Sequence, residues 1–233
     1  MADTVMLGFV SQTAMASCSL AGQVHFILNM IYGGLAAGIT MLAAQYWGRQ
    51  NFTAIQHILA IGVKLAAAVG VLFFVGTVFF PTLLMRIYTD DPAMIESGAV
   101  YLNTVGWSYL FMGLSHPYLS VMKSIERVKA STLINSSALL LNILLNAVFL
   151  FGWIPGIPPM GIRGVALATV LSRVIEFSLC LIDGARYKKL RLTPKLFLLH
   201  NPVLWRDFIR YSLPALGNEF VWGLAFSMYS VIM

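Results

Sequence analysis

Charged side chains are scarce in this sequence, and their scarcity limits the kind of fold it can adopt. Asp, Glu, Lys and Arg make up 10% of the 233 residues, against about 25% in a typical soluble domain. Hydrophobic residues make up 59%, and the mean hydropathy is +0.81. A soluble fold of this size would lack the polar surface to cover itself. The composition therefore excludes an ordinary soluble domain and predicts a polytopic membrane protein.

The sequence has only two cysteines and lacks several common enzyme motifs. Cys18 and Cys180 each lie in an apolar run, so we expect two reduced thiols, and no metal-ligand spacing occurs. The sequence contains no GxSxG, HExxH or P-loop motif, and its four histidines are scattered. We therefore predict a protein that is not an enzyme and has no bound cofactor. Without an ATP-binding motif, any pumping would draw on an ion gradient or on a partner.

Stretches without Asp, Glu, Lys or Arg indicate where helices cross the membrane. The turn WIPGIPPMG, dense in Pro and Gly, ends one such stretch, and a polar basic connection at 183–207 ends the next. The fold class predicted is an all-α membrane helix bundle. Its seven helices are expected at 1–9, 14–44, 58–83, 97–122, 130–152, 161–182 and 208–233.

The Lys and Arg residues alternate between the connections. Eleven of the fifteen fall in connections 2–3, 4–5 and 6–7, whereas the opposite connections hold only Arg86 and Arg163. Cytoplasmic connections of membrane proteins are enriched in Lys and Arg, so these three connections are predicted to be cytoplasmic. The protein is expected in the plasma (inner) membrane of the cell. Topology then explains the net charge of +6, and no nucleic-acid partner is expected.

Two amides lie within the apolar run LLLNILLNAVFLF at 139–151. Asn142 and Asn146 are four residues apart, so they share one helix face. An amide in hydrocarbon needs a partner or costs a few kcal/mol. The spacing leaves two interpretations open: bonds to a neighbouring helix, or neutral oxygen ligands for a small cation. Thr169 lies on the sixth predicted helix, where a threonine hydroxyl typically bonds to the backbone carbonyl four residues earlier.

Few acids fall within the predicted helices. Glu176 follows Arg173 by three residues and predicts a structural ion pair. Asp3 is either an N-terminal acid in water or, in a longer first helix, a charge at mid-membrane depth. Glu219 lies in the cytoplasmic half of the seventh helix, where a carboxyl either carries a proton or bonds to neighbouring polar groups.

Small residues and a proline mark two further features of the predicted helices. Gly34 and Gly38 form a small-xxx-small face on the second helix, which predicts close helix packing. His116-Pro117 interrupts the fourth helix pattern and predicts a kink, because proline cannot donate the next backbone hydrogen bond.

Five motifs, in this order along almost the whole chain, resemble the multidrug and toxic compound extrusion (MATE) family. They are ADTVMLG, AAQYWGRQN, NILLNAVFLFG, GIRGVALATVLSR and SLPALGNEFVWGL. Each motif alone is modest, and the ordered set is more specific. The resemblance implies twelve helices in two six-helix lobes, in a cation-coupled antiporter that exports organic, often cationic, compounds by alternating access.

The resemblance also implies a domain organisation. The amino-terminal lobe would occupy 1–182, the cytoplasmic connection 183–207, and the first helix of the second lobe 208–233. The first helix would be only partly present and the rest of the second lobe absent. We therefore expect a truncated chain whose partners are small organic substrates, the bilayer and a carboxy-terminal half.

The same resemblance implies a cation site. Asp3 falls on the family's helix-one acid, Asn142 on the first member of its helix-five pair, and Thr169 on its helix-six hydroxyl. Asn146 falls where the family carries Asp, so the site would hold at most one formal charge. The coupling ion is left open between a proton and sodium, and no other metal is expected. Glu219 resembles an acid that many members carry on the seventh helix, near the second lobe's cation site, and is a candidate second proton or cation site.

Two alternatives to a working exporter stay open. One is a half-transporter that is inert or needs its second half. The other is a flippase for lipid-linked saccharides, which uses a related fold but a more cationic cavity. Apart from Arg163 and Arg210 at helix ends, only Lys64 and Arg173 lie within the predicted helices, which disfavours the flippase.

Overall fold

All regular elements in the described part of the chain are α-helices. The computed structural model describes residues 6–8, 11–152, 160–187 and 201–232. The all-α fold class predicted from composition is confirmed. The helices are α1 (Gln12–Gly48), α2 (Phe52–Phe79), α3 (Pro81–Arg86), α4 (Pro92–Ser124), α5 (Val128–Phe151), α6 (Gly161–Arg186) and α7 (Pro202–Ile232).

Several of these helices have the dimensions of membrane spans. Among the described residues, α1, α2, α5 and α6 are long and apolar enough to cross a membrane, for which about 20 residues are needed. α4 and α7 are of similar length, with 33 and 31 residues. α4 continues through Pro117 as one helix. Cys18 and Cys180 are buried and form no disulfide with each other, as predicted.

The predicted third helix, 58–83, is two helices in the structure. α2 ends at Phe79, and the short α3 begins at Pro81. Phe80 between them has φ −128° and ψ 41°, outside the helical region. Proline lacks a backbone N–H and suits the first turn of a helix, so Pro81 starts α3 rather than continuing α2.

Side-chain caps fix the starts of three helices. The Oδ1 atom of Asn51 accepts from the Ala54 amide at 3.1 Å, and that of Asp91 accepts from the Ala93 amide at 2.9 Å. The Asn201 Oδ1 atom accepts from two amides at the start of α7, at 3.2 Å each. Such caps satisfy amides that lack an intrahelical partner. The cap at Asn201 starts α7 six residues before the predicted position, 208; residues 188–200 of the predicted connection lie outside the described part.

The chain forms two compact units. Unit 1 comprises Met1–Phe26, Gly70–Met112 and Leu133–Ser178. In its interior the buried ring of Tyr109 stacks on His25, with ring centroids 5.7 Å apart, and meets the edge of Phe73 at 6.5 Å. These aromatic contacts join segments of α1, α2 and α4 within unit 1.

Unit 2 comprises Ile27–Val69, Gly113–Thr132 and Leu179–Met233. Its interior contains the fully buried Tyr32, whose hydroxyl donates to the Ala66 carbonyl at 3.1 Å. The Tyr32 ring stacks on His116 with centroids 5.4 Å apart. Tyr32 therefore ties segments of α1, α2 and α4 together within unit 2.

The two units differ in charge. Among the described residues, three Lys and Arg belong to unit 1: Arg86, Arg163 and Arg173. Eight belong to unit 2: Arg49, Lys64, Lys123, Arg127, Lys129, Arg186, Arg206 and Arg210. This partition follows the alternation of basic connections in the sequence.

Candidate functional site

Three of the four residues assigned to the cation site lie together in unit 1. The Asn146 amide Nδ2 donates to Asn142 Oδ1 at 3.3 Å, and the Asn142 Nδ2 donates to Thr169 Oγ1 at 3.2 Å. The Thr169 hydroxyl donates to the Val165 carbonyl at 3.2 Å. These bonds form a chain that begins on α5 and ends on the backbone of α6. We call Asn146, Asn142 and Thr169 the amide chain.

The spacing of the two asparagines gives α5 a polar face and an apolar face. Asn146 is fully buried and Asn142 is half-buried. Leu140 and Leu144, on the opposite face of α5, are exposed. A helix in lipid is expected to place its polar groups inward and its apolar groups outward. The amides of α5 follow that rule, because their face points into the interior of unit 1.

The geometry of the amide chain is compatible with both interpretations left open by the sequence, namely bonds between helices and oxygen ligands for a cation. The bond from Asn142 to Thr169 connects two helices, as interhelical hydrogen bonds in membranes do. The Thr169 hydroxyl also bonds the carbonyl four residues earlier, as predicted. The same groups present amide and hydroxyl oxygens, the neutral ligands that a hard cation accepts. The chain can therefore hold the helices together and supply oxygens after small side-chain rotations.

The described residues of the assigned cation site include no ionisable group. Asp3 lies outside the described residues. Within the described ranges, no group of three or more His, Cys, Asp or Glu side chains lies close enough to hold a metal ion. The described part of the site is therefore electrically neutral, and its chemistry is that of amides and a hydroxyl.

The predicted ion pair on α6 is confirmed. The Arg173 guanidinium lies 2.6 Å from the Glu176 carboxylate, which is only 2% exposed. Between this pair and Thr169, the Ser172 hydroxyl donates to the Thr169 carbonyl at 2.9 Å. Breaking a buried pair leaves an uncompensated charge, so Arg173 keeps the Glu176 carboxylate stable in the interior of unit 1.

Glu219 lies in unit 2 and is half-buried against α1. Its carboxyl carbon is 3.3 Å from the position that a β-carbon on Gly33 would occupy. The predicted close packing of Gly34 and Gly38 is confirmed: a β-carbon on Gly34 would lie 2.7 Å from the backbone of Leu216, on α7. We call Gly33, Gly34 and Gly38 the glycine seam. Glu219 is therefore held by α7 at one end of this seam.

A cluster around Asp183 in unit 2 was not predicted from the sequence. Arg127 donates two hydrogen bonds to the Asp183 carboxylate, at 2.8 and 2.9 Å, and the Tyr118 hydroxyl donates a third at 2.6 Å. The Arg127 guanidinium also lies 4.2 Å from the centre of the Tyr187 ring. Asp183 is an acid that lies next to the basic residues after the sixth predicted helix. This local contrast in charge is the sequence signal that could have indicated the cluster. We call these four residues the Asp183 clamp.

The clamp joins three parts of unit 2: the end of α4, the α4–α5 connection and the end of α6. Its hydrogen bonds to Asp183 raise the pKa of the Arg127 guanidinium, which stays charged. Bidentate bonds between Arg and a carboxylate are stronger than single neutral bonds. We therefore expect the clamp to fix these helix ends relative to one another.

We expect Thr169→Val to destabilise the protein by about 1 kcal/mol, the size of an interhelical hydrogen bond in a membrane. Valine keeps the shape of threonine but cannot accept from Asn142. Thermal unfolding of the purified protein in detergent measures the loss. Thr40→Val is the matched control, because among the described residues the Thr40 hydroxyl bonds only its own helix, at the Ala37 carbonyl. Equal losses in the two variants would contradict a bridging role for Thr169.

Comparison with known families identifies the chain. Residues 1–148 match the MatE family. The chain belongs to the MatE family. As a MatE member with several helices of spanning length, it is a multi-pass membrane protein.

Curated relatives of this MatE protein carry transporter names. The chain is 26% identical to the uncharacterized transporter YisQ of Bacillus subtilis, over 96% of this chain and 49% of YisQ. It is also 26% identical to the probable multidrug resistance protein NorM of Thermotoga maritima, over 100% of this chain and 50% of NorM. The chain thus spans about half the length of these relatives.

Solved structures of MATE proteins share the fold. A MATE structure in a bent conformation matches 97% of this MatE chain with a TM-score of 0.86 and 18% identity. A transporter of the MOP superfamily from Pyrococcus furiosus matches with a TM-score of 0.84 and 18% identity. In both cases the match covers 49% of the solved chain. At this identity the likeness supports the fold.

Proposed function

We propose that this MatE protein forms the amino-terminal half of a cation-coupled antiporter that exports organic compounds by alternating access. The observation that carries the proposal is the amide chain, in which Asn142, Asn146 and Thr169 meet inside unit 1. Polar groups inside a membrane helix bundle mark ion or substrate pathways. Relatives named as multidrug resistance proteins support efflux as the direction of transport.

The proposed coupling site consists of Asp3 together with the amide chain. Asp3 supplies the single charge, and the amide chain supplies neutral oxygens, so the site can take either a proton on Asp3 or a sodium ion among the oxygens. Cation binding favours one state of the protein, and substrate binding favours the other. Competition between the two ligands couples export to the cation gradient. Glu219 is proposed as a second proton or cation site.

The proposed substrates are organic cations or amphipathic compounds, and the proposed location is the plasma membrane. The basic residues of unit 2 support an orientation in which connections 2–3, 4–5 and 6–7 are cytoplasmic. We propose that transport also requires a second lobe, because the relatives are about twice as long as this chain. Without that lobe the chain would be an inert half-transporter. The scarcity of Lys and Arg in the helices disfavours a saccharide flippase.

Asp3→Asn is expected to abolish cation-driven efflux of a fluorescent organic cation. Asparagine neither ionises nor exchanges a proton, so the site loses its only proposed charge. The measurement is dye export from energised cells or vesicles that contain the chain joined to a carboxy-terminal lobe of a MatE relative. The matched control is Asp91→Asn, which keeps the cap of α4 because asparagine caps as well as aspartate.

Undiminished efflux in Asp3→Asn would contradict the coupling role of Asp3. The same assay on the chain alone tests the need for a second lobe. Efflux by the chain alone, at the rate of the joined protein, would contradict that part of the proposal. Export that persists after both the proton and the sodium gradients are abolished would contradict cation coupling itself.

A further inference from the structure

An open cavity of about 1,070 Å³ lies in unit 1, apart from the amide chain. Its walls come from α3, α4 and the start of α6. Small-molecule sites in proteins have volumes of about 300–1,000 Å³, so the cavity has room for a ligand of that size. Of the coupling-site residues that the structure describes, Asn142, Asn146 and Thr169, none lines it.

Four charged side chains line this cavity: Arg86, Asp90, Glu96 and Arg163. Arg86 lies at the end of α3, and Arg163 lies in the first turn of α6. Within the described part of the chain, no two of these four groups form an ion pair, for which the limit is an N···O distance of 4.0 Å. Two guanidinium groups and two carboxylates therefore line one cavity without forming direct ion pairs with one another.

The two arginines stand out against the charge pattern of the chain. They are the only Lys or Arg residues in the connections predicted to lie outside the cytoplasm, where positive charge is normally depleted. Topology explains the basic residues of unit 2, but it does not explain why both outward arginines lie at one cavity. A ligand with a negative group would explain it, because guanidinium binds phosphate through paired hydrogen bonds.

The rest of the cavity lining is partly polar, with Thr82, Asn103 and Thr104, and partly apolar. Ile95, Val100 and Leu167 form part of its wall. Next to it, Phe79, Phe80, Leu83 and Ile87 are exposed around α3. Exposed apolar side chains beside charged groups are typical of the boundary between hydrocarbon and lipid headgroups. A ligand here would meet charges at one end and an apolar surface at the other.

We propose that this cavity binds a phospholipid with a zwitterionic headgroup from the outer leaflet. Arg86 and Arg163 bind the phosphate, and Asp90 and Glu96 bind the ammonium group. The apolar wall contacts the start of an acyl chain. An organic cation alone would leave the arginines unpaired, and a purely anionic lipid would leave the carboxylates unpaired. The balance of two charges of each sign therefore favours a headgroup with both.

Native mass spectrometry of the delipidated chain in detergent tests this site. The probes are phosphatidylethanolamine, phosphatidylglycerol and soluble phosphoethanolamine, each titrated separately. We expect one tightly bound phosphatidylethanolamine in the unmodified protein, with weaker binding of the other two. Arg86→Gln with Arg163→Gln should weaken phosphatidylethanolamine binding by about tenfold, because two charged contacts are lost.

A second variant and a control make the result specific. Asp90→Asn with Glu96→Gln should weaken phosphatidylethanolamine binding and remove its preference over phosphatidylglycerol, because only the ammonium contacts are lost. Arg206→Gln with Arg210→Gln removes the same charge at exposed positions of α7 and should change nothing. Size-exclusion profiles confirm that each variant is folded.

Three results would overturn the proposal. One is phosphatidylethanolamine affinity that is unchanged in the arginine variant. Another is equal affinity of the unmodified protein for phosphatidylglycerol, which would mean a site for anions alone. The third is equal affinity for soluble phosphoethanolamine, which would mean that the ligand is a small phosphate compound rather than a lipid.

Discussion

Gly34→Ala is expected to destabilise the protein by about 1–3 kcal/mol, the usual cost of overpacking a close contact. The added β-carbon would lie 2.5 Å from the side chain of Leu216 and 2.7 Å from its Cα. A backbone atom cannot rotate away as a side chain can, so α1 and α7 must separate. Thermal unfolding measures the loss of stability, and nitroxide labels on α1 and α7 measure the separation.

The same substitution at another glycine of α1 provides the control for Gly34→Ala. A β-carbon on Gly22 would meet nothing within 4 Å. Alanine is a better helix former than glycine by up to about 1 kcal/mol, so Gly22→Ala should leave the stability unchanged or raise it slightly. Gly34→Ala should therefore lower the stability of the protein, whereas Gly22→Ala should not. A Gly34→Ala protein as stable as Gly22→Ala would contradict the close packing of α7 on the glycine seam.

Asp183→Asn is expected to destabilise the protein by about 1–2 kcal/mol. Asparagine keeps the shape of the side chain but loses the charge that receives both hydrogen bonds from Arg127. Breaking a fully buried ion pair costs about 3–5 kcal/mol. The Arg127 and Asp183 side chains are 25% and 18% exposed. Water can therefore solvate the unpaired guanidinium and compensate for part of the lost interaction energy. Thermal unfolding in detergent measures the effect.

A second substitution tests whether the Asp183 clamp acts as one unit. Tyr118→Phe removes the third hydrogen bond and should cost about 1 kcal/mol. Combined with Asp183→Asn it should cost less than it does alone, because a hydrogen bond from Tyr118 to a neutral amide oxygen is weaker than one to a carboxylate. Asp207→Asn, on α7, is the control and should have no effect. Additive losses at Tyr118 and Asp183 would contradict the clamp.

Much of the fold was predictable because membrane helices leave a strong signal in composition. Long uncharged stretches correctly predicted α1, α5 and α6, since lipid tolerates few charges along a span. The break at Phe80 was not predicted, because Pro81 lies within an apolar run and hydropathy does not distinguish one helix from two. The extension of helix to Arg186 was also missed, since polar residues at a helix end resemble a connection.

The amide chain was predictable in part. The four-residue spacing placed Asn142 and Asn146 on one face, and the family resemblance pointed to Thr169. The sequence did not decide the direction of the hydrogen bonds or the bridge between α5 and α6, because these depend on how the helices pack. The Asp183 clamp was missed for the same reason: Arg127 and Asp183 are far apart in the sequence, and no local pattern links them.

The amide chain has an electrical consequence for the proposed exporter. Moving one elementary charge through a membrane potential of 100 mV is worth about 2.3 kcal/mol, but reorienting neutral amides and a hydroxyl does no such work. Within the proposed coupling site, only Asp3 and its cation would then respond to the potential. An exchange of one proton for one monovalent organic cation would move no net charge across the membrane. Such an exporter would be driven by the ion concentration difference, and a cell that lost its voltage but kept that difference would still export.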